Sequence, residues 1–317
     1  MDAKKWFKQA QFGMMVHWGL YSLIGGEWKG GRMPHIAEWA QSYFRIPNRE
    51  YHQLANVFNP IYFSADEWVQ TAKDSGANYL VVTSKHHDGF ALFDSKVSGF
   101  TSVKVTPFGR DIIDELANAC AKKNMRLGLY YSQEIDWSHP HGGFYGADYL
   151  NCGDMSWTND WDFPDNAAKD YSICFEEKIK PQVREILTNY GDLCLIWFDT
   201  PDVITPEQSR ELFDIVKHHQ PDCLVNSRIG NGIGDYASTG DNEIPEDSKT
   251  DLWEAPCTLN DTWGFKYYDS NWKPAEKVLA LKQHLSSRGI NYLLNVGPDH
   301  LGRIPGPACD ILRAVGR

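Results

Sequence analysis

The chain has 317 residues, 42% of them hydrophobic and 23% charged, and its 31 basic against 42 acidic side chains give a formal net charge of −11. This length and composition are typical of a globular protein and fall in the range that α/β barrels occupy as one domain. The acidic charge disfavours nucleic acid and anionic membranes as partners, because both would be repelled. A neutral or cationic ligand is favoured instead.

The start of the chain, MDAKKWFKQAQF, lacks the apolar stretch and cleavage site of a signal peptide. No later run reaches the roughly 20 apolar residues that a membrane-spanning helix needs. We therefore expect a cytoplasmic protein. The cysteines form no CxxC pair and are expected to be buried, reduced thiols. They are Cys120, Cys152, Cys174, Cys194, Cys223, Cys257 and Cys309.

Short apolar runs alternate with amphipathic segments along the whole chain, which is typical of parallel strands joined by helices. The predicted strands cover residues 12–19, 78–87, 126–133, 193–200, 222–229 and 291–298, with 250–256 as a further candidate. The predicted helices cover residues 65–77, 111–124, 175–190, 205–219, 274–289 and 307–317.

Two of these helices carry start signals. Ser64 precedes one helix, and Thr205 is followed by Pro206 and, three residues after the threonine, by Gln208. The number of strand and helix units favours a (β/α)8-type TIM barrel over an open doubly wound sheet. No GxGxxG follows the first strand, so a dinucleotide-binding fold has no phosphate loop. No linker divides the chain, and we predict one barrel domain over residues 1–317.

In such a barrel the loops after the carboxyl ends of the strands line the functional face. Polar side chains stand at nearly every predicted strand end, a distribution that chance would spread over both ends of the barrel. They belong to His17 and Trp18, His86 to Asp88, Tyr131 to Gln133, Asp199, Asn226, Arg228 and Asn295.

Asp199 ends the apolar strand in GDLCLIWFDTP, beside aromatic residues. The carboxylate either caps the following turn or serves as a nucleophile at the barrel mouth. Glycoside hydrolysis needs a second carboxyl group on the other side of the scissile bond. The acidic stretch GDYASTGDNEIPE, residues 234–246, is predicted to be a long loop over the mouth, unless it is simply a solvated surface loop. Its candidates are Asp235, Asp241, Glu243 and Glu246.

The stretch SKHHDGF, residues 84–90, places two histidines side by side. Consecutive strand residues point to opposite sides, so the pair would chelate a metal only if the strand ended between them. Neutral imidazoles that donate to sugar hydroxyls, with Asp88 orienting them, require no such break. The 12 tryptophans and 15 tyrosines also suit a carbohydrate ligand, because sugars stack their C–H faces on aromatic rings.

The motifs together resemble those of glycoside hydrolase family 29, the α-L-fucosidases, from about residue 6 to residue 305. The matching stretches are MMVHWGLYS, HIAEWAQSYF, VVTSKHHDGFALFDSK, TPFGRDII, LGLYYSQEIDW, IWFD, LVNSRIG, GDNEIP, LNDTWGF and LLNVGPD. The resemblance implies an exo-acting enzyme with a barrel-type catalytic domain and a retaining double displacement, which needs no cofactor and no metal. Its substrate would be a fucosylated oligosaccharide or glycoconjugate.

The resemblance also implies roles for individual residues. Asp199 would be the nucleophile, Arg228 would lie near it, and Trp253 would cover the apolar face and methyl group of the sugar. The residues that match positions binding the fucose hydroxyls and ring are His17, Glu38, Trp39, His86, His87, Tyr131 and Trp197.

The acid/base loop departs from the family pattern G-D-[FY]-x-T-P-E-x-x-I-P, in which the glutamate donates the proton. This chain reads GDYASTGDNEIP, with one extra residue, and counting back from Ile244 and Pro245 places Asp241 at the donor position. Asp241 is therefore the predicted acid/base, with Glu243 and Glu254 as alternatives.

Many members of the family carry a C-terminal β-sandwich, and we expect none in this chain. The chain thereby resembles short bacterial members, some of which favour α1,6-linked fucose. The resemblance also suggests a homo-oligomer. Two alternatives remain open. One is a fucose-binding barrel without catalysis, and the other is a metal hydrolase that uses His17, His86 and His87.

Overall fold

The computed structural model describes residues 2–143, 150–151 and 155–317. Within them, eight strands run parallel in one sheet whose spatial order is β6-β7-β8-β1-β2-β3-β4-β5. They are β1 (Phe12–Val16), β2 (Tyr79–Lys85), β3 (Arg126–Tyr131), β4 (Leu193–Phe198), β5 (Leu224–Val225), β6 (Ala237–Ser238), β7 (Trp253–Thr258) and β8 (Ile290–Val296).

The two edge strands meet and close the sheet. Asn226, directly after β5, forms a parallel bridge with Tyr236, directly before β6, and the Asp235 N–H donates to the Val225 carbonyl at 2.7 Å. Apart from the half-buried β6, the strands are buried along almost their whole length, as expected when side chains fill the barrel interior and helices cover its outside. The predicted (β/α)8 barrel is confirmed.

In the described part of the chain, seven helices of eight or more residues accompany the strands. They are α1 (Ala3–Ala10), α2 (Ala65–Asp74), α3 (Ile112–Lys123), α4 (Lys180–Asn189), α5 (Pro206–His219), α6 (Ala275–Ser287) and α7 (Gly306–Val315). The six predicted helices are confirmed as α2 to α7. Their start signals also function as expected, since the Ser64 hydroxyl accepts the Glu67 N–H and Thr205 forms a capping box with Gln208.

Shorter helices, turns and ribbons lie in the segments that connect the main strands and helices. The short helices are Tyr21–Ile24, Ala40–Tyr43, Asn48–Tyr51 and Tyr171–Cys174. The 3-10 turns are Ala37–Trp39, His52–Val57, Asn166–Ala168 and Ser227–Ile229. A π-helical turn, Phe175–Ile179, leads into α4. Two antiparallel ribbons pair Glu27–Trp28 with Gly31–Arg32 and Leu150–Asn151 with Met155–Ser156. By contrast, only a 3-10 turn separates β5 from β6, and no helix separates β6 from β7 in the fully described stretch 226–258.

The prediction of one long loop over residues 234–246 is wrong in part, because β6 lies inside it. A strand of two residues is too short to show any hydrophobic period, so the pattern gave no sign of it. The predicted strand 222–229 is likewise reduced to Leu224–Val225, after which the chain turns.

Aromatic side chains fill the barrel interior at the end where the strands begin. The end at which the strands finish remains open. Phe7 of α1 packs against Tyr236, with ring centroids 4.5 Å apart, and also against Tyr79. Gly13 on β1 makes room for the Tyr79 ring, since a Cβ there would lie 2.4 Å from Tyr79 Cζ. Aromatic side chains therefore seal one end of the barrel.

Five of the cysteines are buried free thiols as predicted, and Cys309 is half-buried. Cys152 lies outside the described residues. No helix in the part of the chain that the structure describes is both long enough and apolar enough to cross a membrane.

Candidate active site

A pocket of about 390 Å³ opens at the carboxyl ends of the strands. Most of the residues predicted from the sequence line it together, although they are spread over more than 220 positions of the chain. These are His17, Glu38, Trp39, His86, His87, Trp197, Asp199, Arg228 and Asp241.

Asp199 follows β4 and directs its carboxylate into a set of hydrogen-bond donors. The Tyr130 hydroxyl donates to Oδ2 at 2.8 Å, and Arg228 Nη1 donates to Oδ1 at 3.0 Å. The Asp199 main-chain N–H donates to Gln133 Oε1 at 2.8 Å, and the other end of that side chain, Nε2, donates to the Arg228 carbonyl at 3.0 Å. These contacts hold the carboxylate in place, with its oxygens directed into the pocket.

The alternative interpretation of Asp199 as the cap of the following turn is wrong, because Glu134 performs that role. The Glu134 carboxylate accepts the N–H groups of Asp202, Val203 and Ile204 at 2.8, 3.0 and 2.9 Å. Burial raises the pKa of Glu134 to about 7, although the three N–H groups oppose the rise. Since Glu134 satisfies the turn, the Asp199 side chain is free for the pocket.

Arg228 joins the two candidate catalytic carboxylates. Its Nη1 contacts Asp199, and its Nη2 contacts Asp241 Oδ1 at 2.5 Å. The guanidinium carbon also lies 4.7 Å from the centre of the Trp197 ring. Burial opposes the charge, but the carboxylates of Asp241 and Asp199 raise the pKa of Arg228, so it remains cationic.

Asp241 is the carboxylate of the acidic stretch that reaches the pocket, with a side chain 47% exposed. The other candidates are engaged elsewhere. Glu243 Oε2 accepts the Gly240 N–H at 2.8 Å, Asp235 pairs with Lys217 at 2.6 Å, and Glu246 pairs with Arg288 at 3.2 Å. Glu254 is fully buried below the pocket and takes no part in its wall.

The three pocket histidines are neutral at pH 7. Burial lowers the pKa of His17 to about 4 and holds the pKa values of His86 and His87 well below the usual 6.5. For His86 and His87, nearby cationic groups including Lys85 act in the same direction.

The tautomers of two of these histidines follow from their partners. Asn295 Nδ2 donates to the Trp263 carbonyl, so Asn295 Oδ1 must accept from His17 Nδ1 at 2.7 Å. The Ser132 hydroxyl donates to the Ile135 carbonyl and so accepts from His87 Nδ1 at 2.7 Å. Nε2 of both histidines is therefore an acceptor, whereas the sequence interpretation had them donating to sugar hydroxyls.

Asp88 does not orient these histidines, contrary to the prediction. Its carboxylate accepts from the Tyr51 hydroxyl at 2.8 Å and from the Phe90 N–H at 3.1 Å. Among the described residues, no three His, Cys, Asp or Glu side chains converge where a metal ion could be held.

Glu38 lies in the pocket wall and is almost completely buried. Its Oε2 accepts the Gly264 N–H at 2.9 Å. Burial raises the pKa of Glu38 to about 8, against the effect of that N–H. The side chain is therefore mainly protonated at pH 7 and can donate a hydrogen bond to a ligand.

Replacing Glu38 with Gln is expected to weaken the pH dependence of the free energy of unfolding. Because the folded-state pKa is raised to about 8, the stability that Glu38 contributes is fully present below its unfolded pKa of about 4.3 and is lost as pH rises through 8. This loss amounts to at most about 1.4 kcal/mol per pH unit. Urea unfolding at pH 5 to 8 should show the variant gaining stability over the wild type as pH rises. Parallel curves for the two proteins would contradict the prediction.

Two predicted substrate-binding residues lie outside the pocket. Tyr131 points away from the barrel interior, and its hydroxyl donates to Gln182 Oε1 on α4 at 2.8 Å. Trp253 is the first residue of β7, at the end of the barrel opposite the pocket, and the Lys249 ammonium lies 4.6 Å from its ring centre. Both residues were predicted to be in the site from the resemblance of their motifs. Tyr131 points outward because side chains alternate along a strand, and Trp253 is remote because only the carboxyl end of its strand faces the pocket.

Two other aromatic residues, Tyr130 and Trp263, line the pocket. Tyr130 contacts Asp199 and stacks on His86, with ring centroids 5.2 Å apart, while the Trp263 ring lies 5.2 Å from that of His17. Met155 and Trp157 also line the pocket and were missed, because no predicted element includes them. The alternation along β3 was a usable signal for Tyr130, since it identifies one member of the Tyr130–Tyr131 pair as inward.

The family model described as α-L-fucosidase matches residues 1–317. The chain belongs to the α-L-fucosidase family.

Curated and solved α-L-fucosidases support this assignment. The tissue α-L-fucosidase of Mus musculus is 31% identical over 98% of this chain and 68% of its own length, and a Caenorhabditis elegans putative α-L-fucosidase is 29% identical over 98% and 64%. The chain thus spans about two thirds of these curated relatives. The α-L-fucosidase AlfC from Lactobacillus casei, solved with its α-L-fucose product, is 52% identical over 100% of this chain and 97% of that one, with a TM-score of 0.96.

The two adjacent tyrosines of this fucosidase family member give a matched pair of variants. Tyr130→Phe removes a hydrogen bond to the Asp199 carboxylate, and bonds to charged groups are worth about 1.5–3 kcal/mol, so kcat/KM on an aryl fucoside is expected to fall about 10- to 100-fold. Tyr131→Phe removes the bond to Gln182 and is expected to cost about 1–3 kcal/mol of stability with activity retained. Equal losses of activity in both variants would contradict the assignment of Tyr130.

Proposed function

We propose that the chain is an exo-acting, retaining α-L-fucosidase in which Asp199 is the nucleophile and Asp241 the acid/base. The observation that carries this proposal is the Arg228 guanidinium, which contacts both carboxylates at the same pocket. Retaining glycosidases place their two carboxyl groups roughly 5–5.5 Å apart, closer than the 6.5–9.5 Å of inverting enzymes. Two carboxylates that share one guanidinium suit the shorter separation.

In the first step, Asp199 Oδ attacks the anomeric carbon of fucose while the bond to the leaving oxygen breaks and Asp241 donates its proton to that oxygen. A covalent fucosyl ester on Asp199 results. In the second step, Asp241 takes a proton from water, whose oxygen attacks the same carbon and displaces Asp199. The hydrogen bonds from Tyr130 and Arg228 orient the Asp199 carboxylate for the attack and stabilise it as the leaving carboxylate in the second step.

Binding of a 6-deoxy sugar is supported by a pocket wall that has one polar part and one apolar part. One part of the wall is polar and suits the sugar hydroxyls. It offers two hydrogen-bond acceptors, Nε2 of His17 and of His87, and one donor, the protonated Glu38. Apolar side chains such as Met155 and Trp157 line the same pocket and suit a methyl group. A wall of this kind discriminates a methyl from a hydroxymethyl group.

For the leaving group, we propose an α1,6-linked N-acetylglucosamine. A variant of AlfC was solved in complex with Fucα(1,6)GlcNAc, and it is 50% identical over 98% of this chain, with a TM-score of 0.93. At this similarity the part of the pocket that receives the leaving group is expected to be similar as well.

Both parts of the proposal are tested with the purified full chain. Release of 4-nitrophenol and fucose from 4-nitrophenyl α-L-fucoside tests hydrolysis, and NMR of the first-formed fucose tests retention, which predicts the α anomer. Fucα(1,6)GlcNAc is then compared with its α1,3 and α1,4 isomers. Fucose binding without turnover would support the binding-protein alternative instead, and an initial β anomer would overturn the retaining mechanism.

A further inference from the structure

Glu254 is a buried carboxyl group that the proposed reaction does not use. It is the second residue of β7, has no exposed surface and lies inside the barrel below the pocket. Its Oε2 accepts the Tyr79 hydroxyl at 2.6 Å, and its Oε1 accepts the Trp197 indole Nε1–H at 2.8 Å. Burial of a carboxyl group costs free energy, so a residue of this kind in a barrel core requires a specific reason.

Trp197 connects this carboxyl group to the pocket. Its ring stacks on Tyr130, with centroids 5.6 Å apart and planes 20° apart, and the Arg228 guanidinium lies 4.7 Å from the ring centre. Tyr130 and Arg228 both donate hydrogen bonds to the Asp199 carboxylate. The indole therefore supports both donors from one side.

An indole N–H can only donate, and when buried it needs an acceptor. The surrounding barrel interior is formed largely by apolar side chains such as Met15, Val81 and Leu293, which offer none. Glu254 supplies that acceptor. Burial raises the pKa of Glu254 to about 7, yet Oε1 can accept from the indole in both protonation states, since a proton on Oε2 would be donated to the Tyr79 oxygen.

We propose that Glu254 is a positioning residue for the fucosidase reaction, which fixes the Trp197 indole and through it the Tyr130 and Arg228 donors around Asp199. This inference rests on the proposed function. Its action is orientation through a hydrogen bond, not proton transfer, because Glu254 reaches neither the pocket nor Asp199.

Three single variants distinguish loss of the hydrogen bond that orients the Trp197 indole from loss of the Glu254 charge and from a general loss of stability. Glu254→Gln keeps an acceptor for the indole and is expected to retain kcat/KM on 4-nitrophenyl α-L-fucoside within about threefold. Glu254→Met removes the acceptor, and displacement of reacting groups by even 1 Å can cost about 100-fold, so a loss of about 10- to 100-fold, mainly in kcat, is expected. Tyr79→Phe removes a hydrogen bond to the same carboxyl group that does not involve Trp197, and it should lower the melting temperature while keeping kcat within about threefold.

A double-mutant cycle tests whether the effect passes through Trp197. Trp197→Phe keeps a ring but lacks the N–H, so adding Glu254→Met to it should cost little further activity. Additive losses, or a loss in Glu254→Gln as large as in Glu254→Met, would overturn the proposal. Should Glu254→Met not fold, the Met and Gln variants are compared in the Tyr79→Phe background, which removes the Tyr79 hydroxyl that Glu254→Met would leave unpaired.

Failure of this inference is distinct from failure of the proposed function. If the wild type does not hydrolyse the aryl fucoside, the proposed activity is wrong, and the same cycle is measured on fucose affinity by calorimetry. Additive effects on affinity would then overturn the positioning role independently.

Discussion

Replacing Asp199 with Asn is expected to lower kcat on 4-nitrophenyl α-L-fucoside by about 10⁴-fold or more, the scale seen when residues at the reacting centre of a hydrolase are lost. The variant should fold, because the side chain is nearly isosteric and Arg228 keeps its second partner, Asp241. Steady-state kinetics and a melting curve measure both quantities. Activity near that of the wild type would remove Asp199 from the mechanism.

Asp202→Asn is the matched control for this change. Asp202 lies in the same turn, but its side chain is exposed and does not line the pocket, so the same chemical substitution should leave kcat unchanged. Azide adds a chemical test with Asp199→Gly. If Asp199 is the nucleophile, azide can occupy the vacated space and attack the anomeric carbon, which forms β-fucosyl azide from the α-fucoside.

Replacing Asp241 with Ala is expected to lower kcat/KM on Fucα(1,6)GlcNAc by about 10²- to 10⁴-fold, the usual contribution of general acid–base catalysis. The loss should be much smaller on 4-nitrophenyl α-L-fucoside, whose leaving group departs without a proton. Azide should accelerate the variant by attacking the fucosyl-enzyme, and the product should be α-fucosyl azide with retained configuration.

Glu243→Ala serves as the control for Asp241→Ala, since Glu243 is in the same loop but its carboxylate accepts the Gly240 N–H and does not line the pocket. It is expected to keep both activities and to show no azide effect. Rescue of Glu243→Ala with no rescue of Asp241→Ala would exchange the two assignments. Absence of rescue in both would place the proton donor at another residue.

The sequence predicted the parts of the molecule that repeat with a period. The helices follow from their apolar spacing and caps, as α2 and α5 illustrate, and the buried strand before Asp199 follows from its run of apolar residues. The position of Asp199 at the barrel mouth is then a consequence of parallel strands sharing one open end.

Other features depend on contacts between distant residues and could not be predicted. Glu134 reaches the main chain 68 to 70 positions away, and nothing in its local sequence indicates this. Tyr131 was chosen over Tyr130 because motif matching compares letters, whereas the direction of a side chain depends on where the strand begins. Trp253 was misplaced for a related reason, since its position along β7 decides which end of the barrel it faces.

The two sides of the pocket are carried by strands of different length, because β5 and β6 have only two residues each. Asp199 follows a six-residue strand that pairs with neighbours on both sides, whereas Arg228 and Asp241 follow strands of two residues with no helix packed between β6 and β7. Fewer main-chain hydrogen bonds hold the second half, so small displacements there cost less free energy. In the proposed reaction, the nucleophile Asp199 would therefore belong to the more rigid part of the barrel. The acid/base Asp241 would belong to the part in which adjustment to a leaving group costs less free energy.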